Sequence, residues 1–278
     1  MISKTALNEK IVEVYKHKVF RNFSSLLLSN IAMQLFNMVA IIYITKILVP
    51  VEYGLYTFMI IQAILIATIA EFGIKNVAIR EIARNKKNQN AYFSLSIVIS
   101  LLLNIIMFIV YLVYNNSFGS LTLNQVFLLA TYSIALSIFN CAERVFIGLE
   151  KVNQLAIANV GHSIFWLICV LILKNYLVNV EYLFLLYLII YFFKTLFLVV
   201  VLYYKFELRF LTKGLYLLFK KVIKQSLPFF GIILVALPAN YLANNFLEIN
   251  STMDQVGLFS LSNKFISPVF LALNVLLS

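Results

Sequence analysis

The chain has 278 residues, of which 63% are hydrophobic and only 12% are charged, and its mean hydropathy is +0.95. A water-soluble domain is about a quarter charged and under half apolar, so this composition excludes a soluble globular protein. The net charge of +11 would suggest nucleic-acid binding in a soluble protein, but in a membrane protein it follows from cytoplasmic loops rich in lysine and arginine. We therefore expect an all-α, multi-pass membrane protein that binds no nucleic acid.

Eight apolar runs are each long enough to cross the roughly 30 Å hydrocarbon core as a helix. They lie at residues 25–47, 55–74, 92–114, 122–142, 155–173, 182–204, 227–248 and 257–278. Eighteen of the 22 basic residues lie in the N-terminal segment and in the breaks after the second, fourth and sixth runs. The positive-inside rule places these segments, and with them the N-terminus, in the cytoplasm.

Two of the basic segments have helical periodicity. Residues 1–24 place Ile11, Tyr15 and Val19 on one face, and residues 205–226 place Leu218 and Val222 opposite a row of lysines. Both are typical of helices that lie on an anionic membrane surface. The first segment precedes a lobe of six spans, residues 25–204. The second segment links that lobe to the start of a second lobe, residues 227–278. Pro228 suits the first turn of the seventh span, and Pro238 should kink it.

Most of the predicted spans carry a thin polar line at steps of three and four residues, which places each set on one helix face. Such side chains either join neighbouring helices by hydrogen bonds or line a shared, water-accessible cavity; their number favours the cavity. The sets are Asn30, Gln34 and Asn37; Ser96, Ser100 and Asn104; Ser133, Ser137 and Asn140; Asn159, His162, Ser163 and Trp166; Tyr187, Tyr191 and Lys194; and Asn240 and Asn244. We expect the two cysteines, Cys141 and Cys169, to be packing residues.

Three ionisable residues lie within or at the end of predicted spans. Lys194 lies eleven residues before Lys205, about 16 Å deep, where a charge normally faces a cavity or a partner. It either pairs with a polar neighbour or holds an anionic substrate. Lys264 lies nearer the outer surface and can extend towards it, and Glu71 closes the second span near the cytoplasmic face.

The seventh and eighth runs repeat features of the first two. Ser-Leu lies at the start of the first and the seventh run, and Gly-Leu-aromatic follows the next turn, at Gly54-Leu55-Tyr56 and at Gly257-Leu258-Phe259, 203 residues later. Gly54 is expected to allow a tight start of the second span. Because the two copies have the same predicted orientation, they indicate a two-lobed transporter whose substrate is handled between parallel repeats.

Three stretches resemble the Wzx-type oligosaccharide flippases of the polysaccharide biosynthesis family, within the multidrug/oligosaccharidyl-lipid/polysaccharide exporter superfamily. They are I-L-V-P-V-E-Y-G-L-Y-T-F, with Val49 where the family usually has glycine; A-E-F-G-I-K-N-V-A-I-R-E-I-A-R; and the start of the second lobe, S-L-P-F-F-G to M-D-Q-V-G-L-F-S-L-S-N-K-F. The resemblance implies two six-span lobes around a V-shaped cavity that works by alternating access. The chain departs from it by containing only two spans of the second lobe, so we expect a fragment, a truncated gene or a partner that supplies the rest.

The resemblance implies a carrier that moves undecaprenyl-diphosphate-linked oligosaccharide, such as an O-antigen or capsule unit, across the bacterial cytoplasmic membrane. We expect cationic side chains in the cavity to hold the diphosphate. No enzyme motif and no cofactor are expected; coupling to an ion gradient stays open, and glycan polymerase machinery is a further candidate partner. A drug/cation antiporter and a non-transporting membrane protein are the alternatives. The candidate cavity residues are Lys194, Lys264, Arg80, Arg144, Glu71, Asn30, Gln34 and Asn37.

Overall fold

The computed structural model describes residues 27–176, 179–211, 214–238, 241 and 243–277, and within them the chain forms ten α-helices and no strand. The predicted amphipathic segment at residues 1–24 and the polar residue Asn240 lie outside the described residues. The helices are α1 Leu27–Ile47, α2 Pro50–Ala70, α3 Ile74–Arg84, α4 Gln89–Phe118, α5 Leu123–Gly148, α6 Val152–Leu173, α7 Val180–Phe206, α8 Leu215–Leu237, α9 Ala243–Asn250 and α10 Met253–Leu277.

Six helices of the described part are long and apolar enough to cross a membrane: α1, α2, α4 with the 3₁₀ turn before it, α5, α6 and α7. They coincide with the first six predicted spans and confirm a polytopic helical bundle. In the regions predicted as the seventh and eighth spans, the described residues belong mainly to α8, α9 and α10, which are not part of this set. That α8, α9 and α10 cross the membrane stays a prediction.

Local sequence sets where several helices begin. Pro50 occupies the first position of α2, where a missing N–H is harmless, and Glu52 accepts a hydrogen bond from the backbone of Val49 at 3.4 Å. Thr122 and Gln125 form a reciprocal capping box at the start of α5. Because α2 already begins at Pro50, Gly54 lies inside the helix, so the prediction that Gly54 starts the second span is wrong.

The predicted boundary between a linker helix and the seventh span is absent, because α8 runs without interruption from Leu215 to Leu237. Pro228 therefore lies inside a helix and not in its first turn, which corrects the expectation. The part of α8 around Pro228 packs against the start of α3. Gly73, which immediately precedes α3, lies against the backbone of Ser226 and Phe230. At Pro238 the α-helical geometry changes: α8 ends one residue before it, residues 238 and 241 are π-helical, and α9 begins at Ala243. The kink expected at Pro238 stays a prediction.

The connections of the bundle define its two ends. One end contains residues 72–88, 149–151 and 207–211. Most of the basic residues that the structure describes lie in these segments or in the helix turns next to them, and we call this the basic end. Its loops are joined there: Gln89 Nε2 donates to the carbonyl of Phe206 at 2.8 Å, and the backbone of Leu211 donates to Ser94 Oγ at 2.8 Å. At the opposite end, α2 and α10 begin and cross, so we call it the crossing end.

At the crossing end, the two glycines of the sequence repeat lie against one another. A Cβ placed on Gly257 would be 3.0 Å from the Cα of Gly54 and 3.1 Å from the carbonyl oxygen of Pro50. A Cβ placed on Gly54 would be 1.8 Å from the carbonyl oxygen of Met253. Pro50 and Met253, which begin α2 and α10, are themselves 203 residues apart, like the glycines. Each repeat thus contacts the same positions of the other, as in a two-fold symmetric interface.

Candidate substrate cavity and charged sites

A cavity of about 250 Å³ lies between the first lobe and α10, in the half of the bundle nearer the crossing end. Its volume is below the range of about 300–1,000 Å³ that is usual for small-molecule sites, so this conformation holds at most part of an oligosaccharide. The residues that line it are Gln34, Asn37, Met38, Ile41, Ile44, Tyr56, Ile60, Trp166, Tyr187 and Lys264.

Aromatic rings form one wall of this cavity. The Trp166 ring lies 5.0 Å from the Tyr187 ring, and Tyr187 lies 6.4 Å from Tyr56, both in edge-to-face geometry. Behind them, Tyr132 contacts Tyr187 at 5.4 Å, which fixes the ring positions from the core side. Tyrosine and tryptophan offer a flat apolar face together with a polar group, so this wall suits a ligand that has both hydroxyls and apolar faces.

The polar side chains of the cavity come from two helices on either side of α2. Gln34 and Asn37 project from α1, and Lys264 projects from α10, which belongs to the second copy of the repeat. The two amides can donate and accept hydrogen bonds, and the lysine supplies a positive charge. A hydroxyl-rich molecule with one anionic group matches this set.

Of the eight predicted cavity residues, the described part of this cavity brings together only three, namely Gln34, Asn37 and Lys264. Asn30 is half-buried one turn before Gln34 on α1 and is not part of the lining. The other five do not line this cavity in the structure. Whether each of them binds substrate stays a prediction.

Lys194 lies elsewhere, in a groove between α6 and α7 on the outside of the bundle. Its Nζ lies 4.0 Å from the centre of the Phe139 ring and 4.8 Å from that of Tyr191. Such cation–π contacts stabilise an ammonium in an apolar setting. Tyr187 shares its helix face but lies seven residues, about 10 Å, nearer the crossing end.

Arg144 and Glu71 form a buried ion pair at the basic end. Arg144 Nη2 lies 2.8 Å from Glu71 Oε1, and the side chains are 1% and 13% exposed. Arg144 Nε and Nη1 have no hydrogen-bond partner among the described residues. The pair joins the end of α2 to α5 within the first lobe, and neither residue reaches the cavity.

Arg80 belongs to a cluster that connects α3 to α8. Glu81 Oε1 lies 3.2 Å from Arg80 Nε and 3.3 Å from Arg84 Nη1, and Glu81 Oε2 lies 3.9 Å from Lys221 Nζ. Arg80 Nη2 also donates to Gln225 Oε1 at 3.2 Å. Below the cluster, the rings of Phe72 and Phe230 stack at 4.4 Å. These contacts join the first lobe to the start of the second at the basic end, and we call them the basic-end clamp.

The polar lines of α4 and α5 meet each other and not the cavity. Asn104 Nδ2 donates to Ser137 Oγ at 2.8 Å, and Ser133 Oγ donates to Asn104 Oδ1 at 2.9 Å. All three side chains are buried. Hydrogen bonds between helices account for these three members of the two polar lines, and none of the six residues lines the cavity.

Two features of the site were missed at the level of sequence. Tyr56 belongs to the repeated Gly-Leu-aromatic motif, and its position one turn before Ile60 could have assigned it to the same wall. Gln62 Nε2 donates to Asn245 Oδ1, which links α2 to α9. No periodic signal predicts that bond, because its two partners lie 183 residues apart.

Within the described residues, no group of three His, Cys, Asp or Glu side chains is placed to hold a metal ion. The comparison with protein families gave a match to the family described as polysaccharide biosynthesis protein, over residues 19–278. Neither the comparison with curated proteins nor the comparison with solved structures gave a match.

Proposed function

Because the chain belongs to the polysaccharide biosynthesis protein family, the family of Wzx-type flippases, we propose that it moves undecaprenyl-diphosphate-linked oligosaccharide across the bacterial cytoplasmic membrane. The observation that carries the proposal is the cavity between the two repeats. It combines the charge of Lys264, the amides of Gln34 and Asn37 and an aromatic wall. A membrane protein of this family handles lipid-linked polysaccharide precursors, and these groups match the anionic, hydroxyl-rich head of such a lipid.

The proposed direction of transport follows from charge. The basic end faces the cytoplasm under the positive-inside rule, and the crossing end faces outward. In this proposal the head enters from the basic end and occupies the cavity, while the polyprenyl chain stays in the bilayer. The chemistry needs no covalent step, so the protein acts as a carrier and not as an enzyme.

Alternating access in this proposal uses the two places where the repeats meet. The basic-end clamp opens to admit the head, and the α2–α10 crossing opens to release it. The clamp combines ion pairs between the buried Glu81 and exposed basic side chains, one ring stack and the backbone contact of Gly73 with α8. Because ion pairs with exposed partners contribute little free energy, we place the first opening step of export at the basic end.

A drug/cation antiporter is less well supported. Such a carrier needs a carboxylate deep in its cavity, but the described lining contains a lysine and no acidic residue. Glu71, the acid predicted from the sequence, is paired with Arg144 at the basic end.

The experiment is a leaflet-accessibility assay in liposomes that contain the purified full chain and a fluorescent undecaprenyl-diphosphate-linked oligosaccharide. Protein-dependent movement of the labelled head between leaflets is the expected result. Liposomes with the same lipid and no protein give the background rate. Movement of a cationic dye in place of the glycolipid would favour the antiporter, and movement of neither would favour a non-transporting membrane protein.

A further inference from the structure

A second concave site lies between α6 and α7, on the surface of the bundle that faces away from the cavity. It is a groove of about 310 Å³. Its residues are mostly apolar or aromatic, with two polar exceptions, and they are Ile157, Ala158, Gly161, His162, Phe165, Ile190, Phe193, Lys194 and Phe197. We call it the α6–α7 groove.

The two polar side chains of the groove have nitrogen atoms that the described residues leave available. Lys194 has contacts with the Phe139 and Tyr191 rings, and no carboxylate of the described part lies within 4.0 Å of its ammonium. His162 is 8% exposed, and its Nε2 has no hydrogen-bond partner among the described residues. A half-buried cation and a buried imidazole nitrogen in one apolar groove suit an anionic group on an apolar molecule.

The rim of the groove suits a hydrocarbon chain. Phe165, Phe193 and Phe197 are all exposed, Phe193 to 61%. On the α6 side, Gly161 leaves the groove open, because a Cβ placed there would meet no atom within 4 Å. Exposed rings around an open channel offer apolar surface to a chain that lies along the helices.

The depth of Lys194 in the bilayer distinguishes a resting anionic lipid from an anionic lipid whose head is crossing the membrane. Lys194 lies fourteen residues after Val180 and twelve before Phe206, about 21 Å and 18 Å from the two ends of α7. The phosphates of resting bilayer lipids lie outside the roughly 30 Å hydrocarbon core, about 15 Å from its centre. A phosphate reaches the depth of Lys194 only when a lipid head is moving across the membrane.

We propose that the α6–α7 groove binds the polyprenyl diphosphate part of the transported lipid, with its diphosphate at Lys194 and His162 and its chain along the exposed rings. This inference rests on the proposed function and adds to it a site outside the central cavity, which holds the lipid before its head passes into the cavity. Lysine is an established partner of phosphate oxygens, and the charge of the diphosphate offsets the unfavourable burial of the ammonium.

The groove and the central cavity share one aromatic wall. Tyr187 lines the cavity, and its ring lies 5.8 Å from the His162 ring, which lines the groove. Tyr191 lies 5.5 Å from His162 and continues the wall to Lys194. A lipid bound in the groove therefore has its diphosphate next to the cavity that receives the whole head in the proposed function.

Equilibrium binding tests this inference without any transport step. The probe is radiolabelled C55 polyprenyl diphosphate that carries no sugar, titrated against the full chain in phosphatidylcholine nanodiscs. We expect Lys194→Gln to weaken binding at least tenfold. His162→Phe, which retains the ring, should weaken it several-fold. Lys174→Gln removes an exposed lysine at the end of α6 and should leave binding unchanged.

Two further binding measurements distinguish the contribution of the hydrocarbon chain from that of the diphosphate. C55 polyprenol, which lacks the diphosphate, should bind the Lys194→Gln variant as well as it binds the unchanged protein. Gly161→Leu fills the groove and should weaken binding of both lipids.

Three outcomes would overturn the inference. Unchanged binding of the diphosphate to folded Lys194→Gln and His162→Phe variants would remove the proposed site. Unchanged binding to the Gly161→Leu variant would exclude the groove. Equal competition by phosphatidylglycerol would assign the groove to ordinary bilayer lipids. None of these outcomes depends on flipping, so a failed transport assay with intact binding would count against the proposed function alone.

Discussion

Gly54 of α2 and Gly257 of α10 are 203 residues apart in the chain and lie in contact in the structure. The same position of two sequence repeats thus forms their mutual contact, and no side chain separates the two helices there. Close approach of backbones at small residues is a common way to join helices in a membrane, where lipid removes most of the hydrophobic driving force.

Gly54→Ala should loosen this crossing. The added Cβ would lie 1.8 Å from the Met253 carbonyl oxygen, so one backbone must move. We expect the free energy of unfolding to fall by about 1–3 kcal/mol, as for other overpacked sites. Thermal unfolding in detergent measures it. Gly231→Ala is the matched control, because a Cβ there meets no atom within 4 Å, and it should be neutral or slightly stabilising. Equal melting temperatures for the two variants would contradict the close contact.

Glu71→Ala should be strongly destabilising, because it leaves Arg144 charged and 1% exposed without its partner. Breaking a buried ion pair from one side typically costs about 3–5 kcal/mol. The double variant Glu71→Leu with Arg144→Met removes both charges and should recover most of that loss. Chemical unfolding of the three proteins gives the comparison. A double variant no more stable than Glu71→Ala would show that the pair acts through more than its own charges.

Asn104→Ala should affect stability and leave transport unchanged. The substitution removes two hydrogen bonds between α4 and α5, each worth roughly 0.6 kcal/mol in a membrane, so we expect a loss of about 1 kcal/mol. Asn37→Ala, in the cavity, should show the reverse, with near-native stability and slower flipping of the glycolipid. If the folded Asn104→Ala variant flips the glycolipid slowly, then the polar side chains of α4 and α5 take part in transport, contrary to this prediction.

Glu81→Gln should open the basic end. Glu81 contacts Arg80, Arg84 and Lys221, of which only Lys221 lies on α8. Because the three basic side chains are exposed, each pair contributes about 0–1 kcal/mol, and stability should change little. The readout is the alkylation rate of Gln34→Cys by a membrane-impermeant maleimide, with Cys141 and Cys169 replaced by alanine. We expect several-fold faster labelling from the basic end.

The control for the basic-end clamp is Glu143→Gln. It breaks the 3.2 Å ion pair with Lys75, which joins α3 to α5 within the first lobe. Labelling of Gln34→Cys should then proceed at the unchanged rate. Equal acceleration by both variants would mean that loss of any surface ion pair loosens the protein, and that the clamp has no special part in opening.

Six of the spans could be predicted from the sequence because an apolar run of fixed length is a direct consequence of bilayer thickness. The repeat could also be predicted, since Gly54 and Gly257 are each followed by leucine and an aromatic residue. Their contact could not, because sequence similarity between two copies does not say which surfaces of the copies meet. The continuity of α8 through Pro228 was missed for a similar reason: the contact of Ser226 and Phe230 with α3 is tertiary.

The site was only partly predictable, because periodicity assigns a residue to a helix face but not to a neighbour. Tyr187 and Lys194 share a face of α7 and are two helical turns apart. Tyr187 lines the cavity, whereas Lys194 lines the groove. Asn37 and Asn104 have the same chemistry in similar polar lines, but one lines the cavity and the other bonds to α5. Only the packing of the helices distinguishes these roles.

The most direct test of the central claim is the flipping rate of the glycolipid by a Lys264→Gln variant in the leaflet-accessibility assay. Lys264→Arg, which retains the charge, and Lys174→Gln, which removes an exposed lysine, are the controls. If the cavity between the repeats carries the anionic head, the Lys264→Gln variant should flip the glycolipid at least tenfold more slowly than the unchanged protein. The Lys264→Arg variant should retain much of the flipping rate, and the Lys174→Gln variant should retain all of it. Flipping by folded Lys264→Gln at the unchanged rate would contradict the assignment of the cavity.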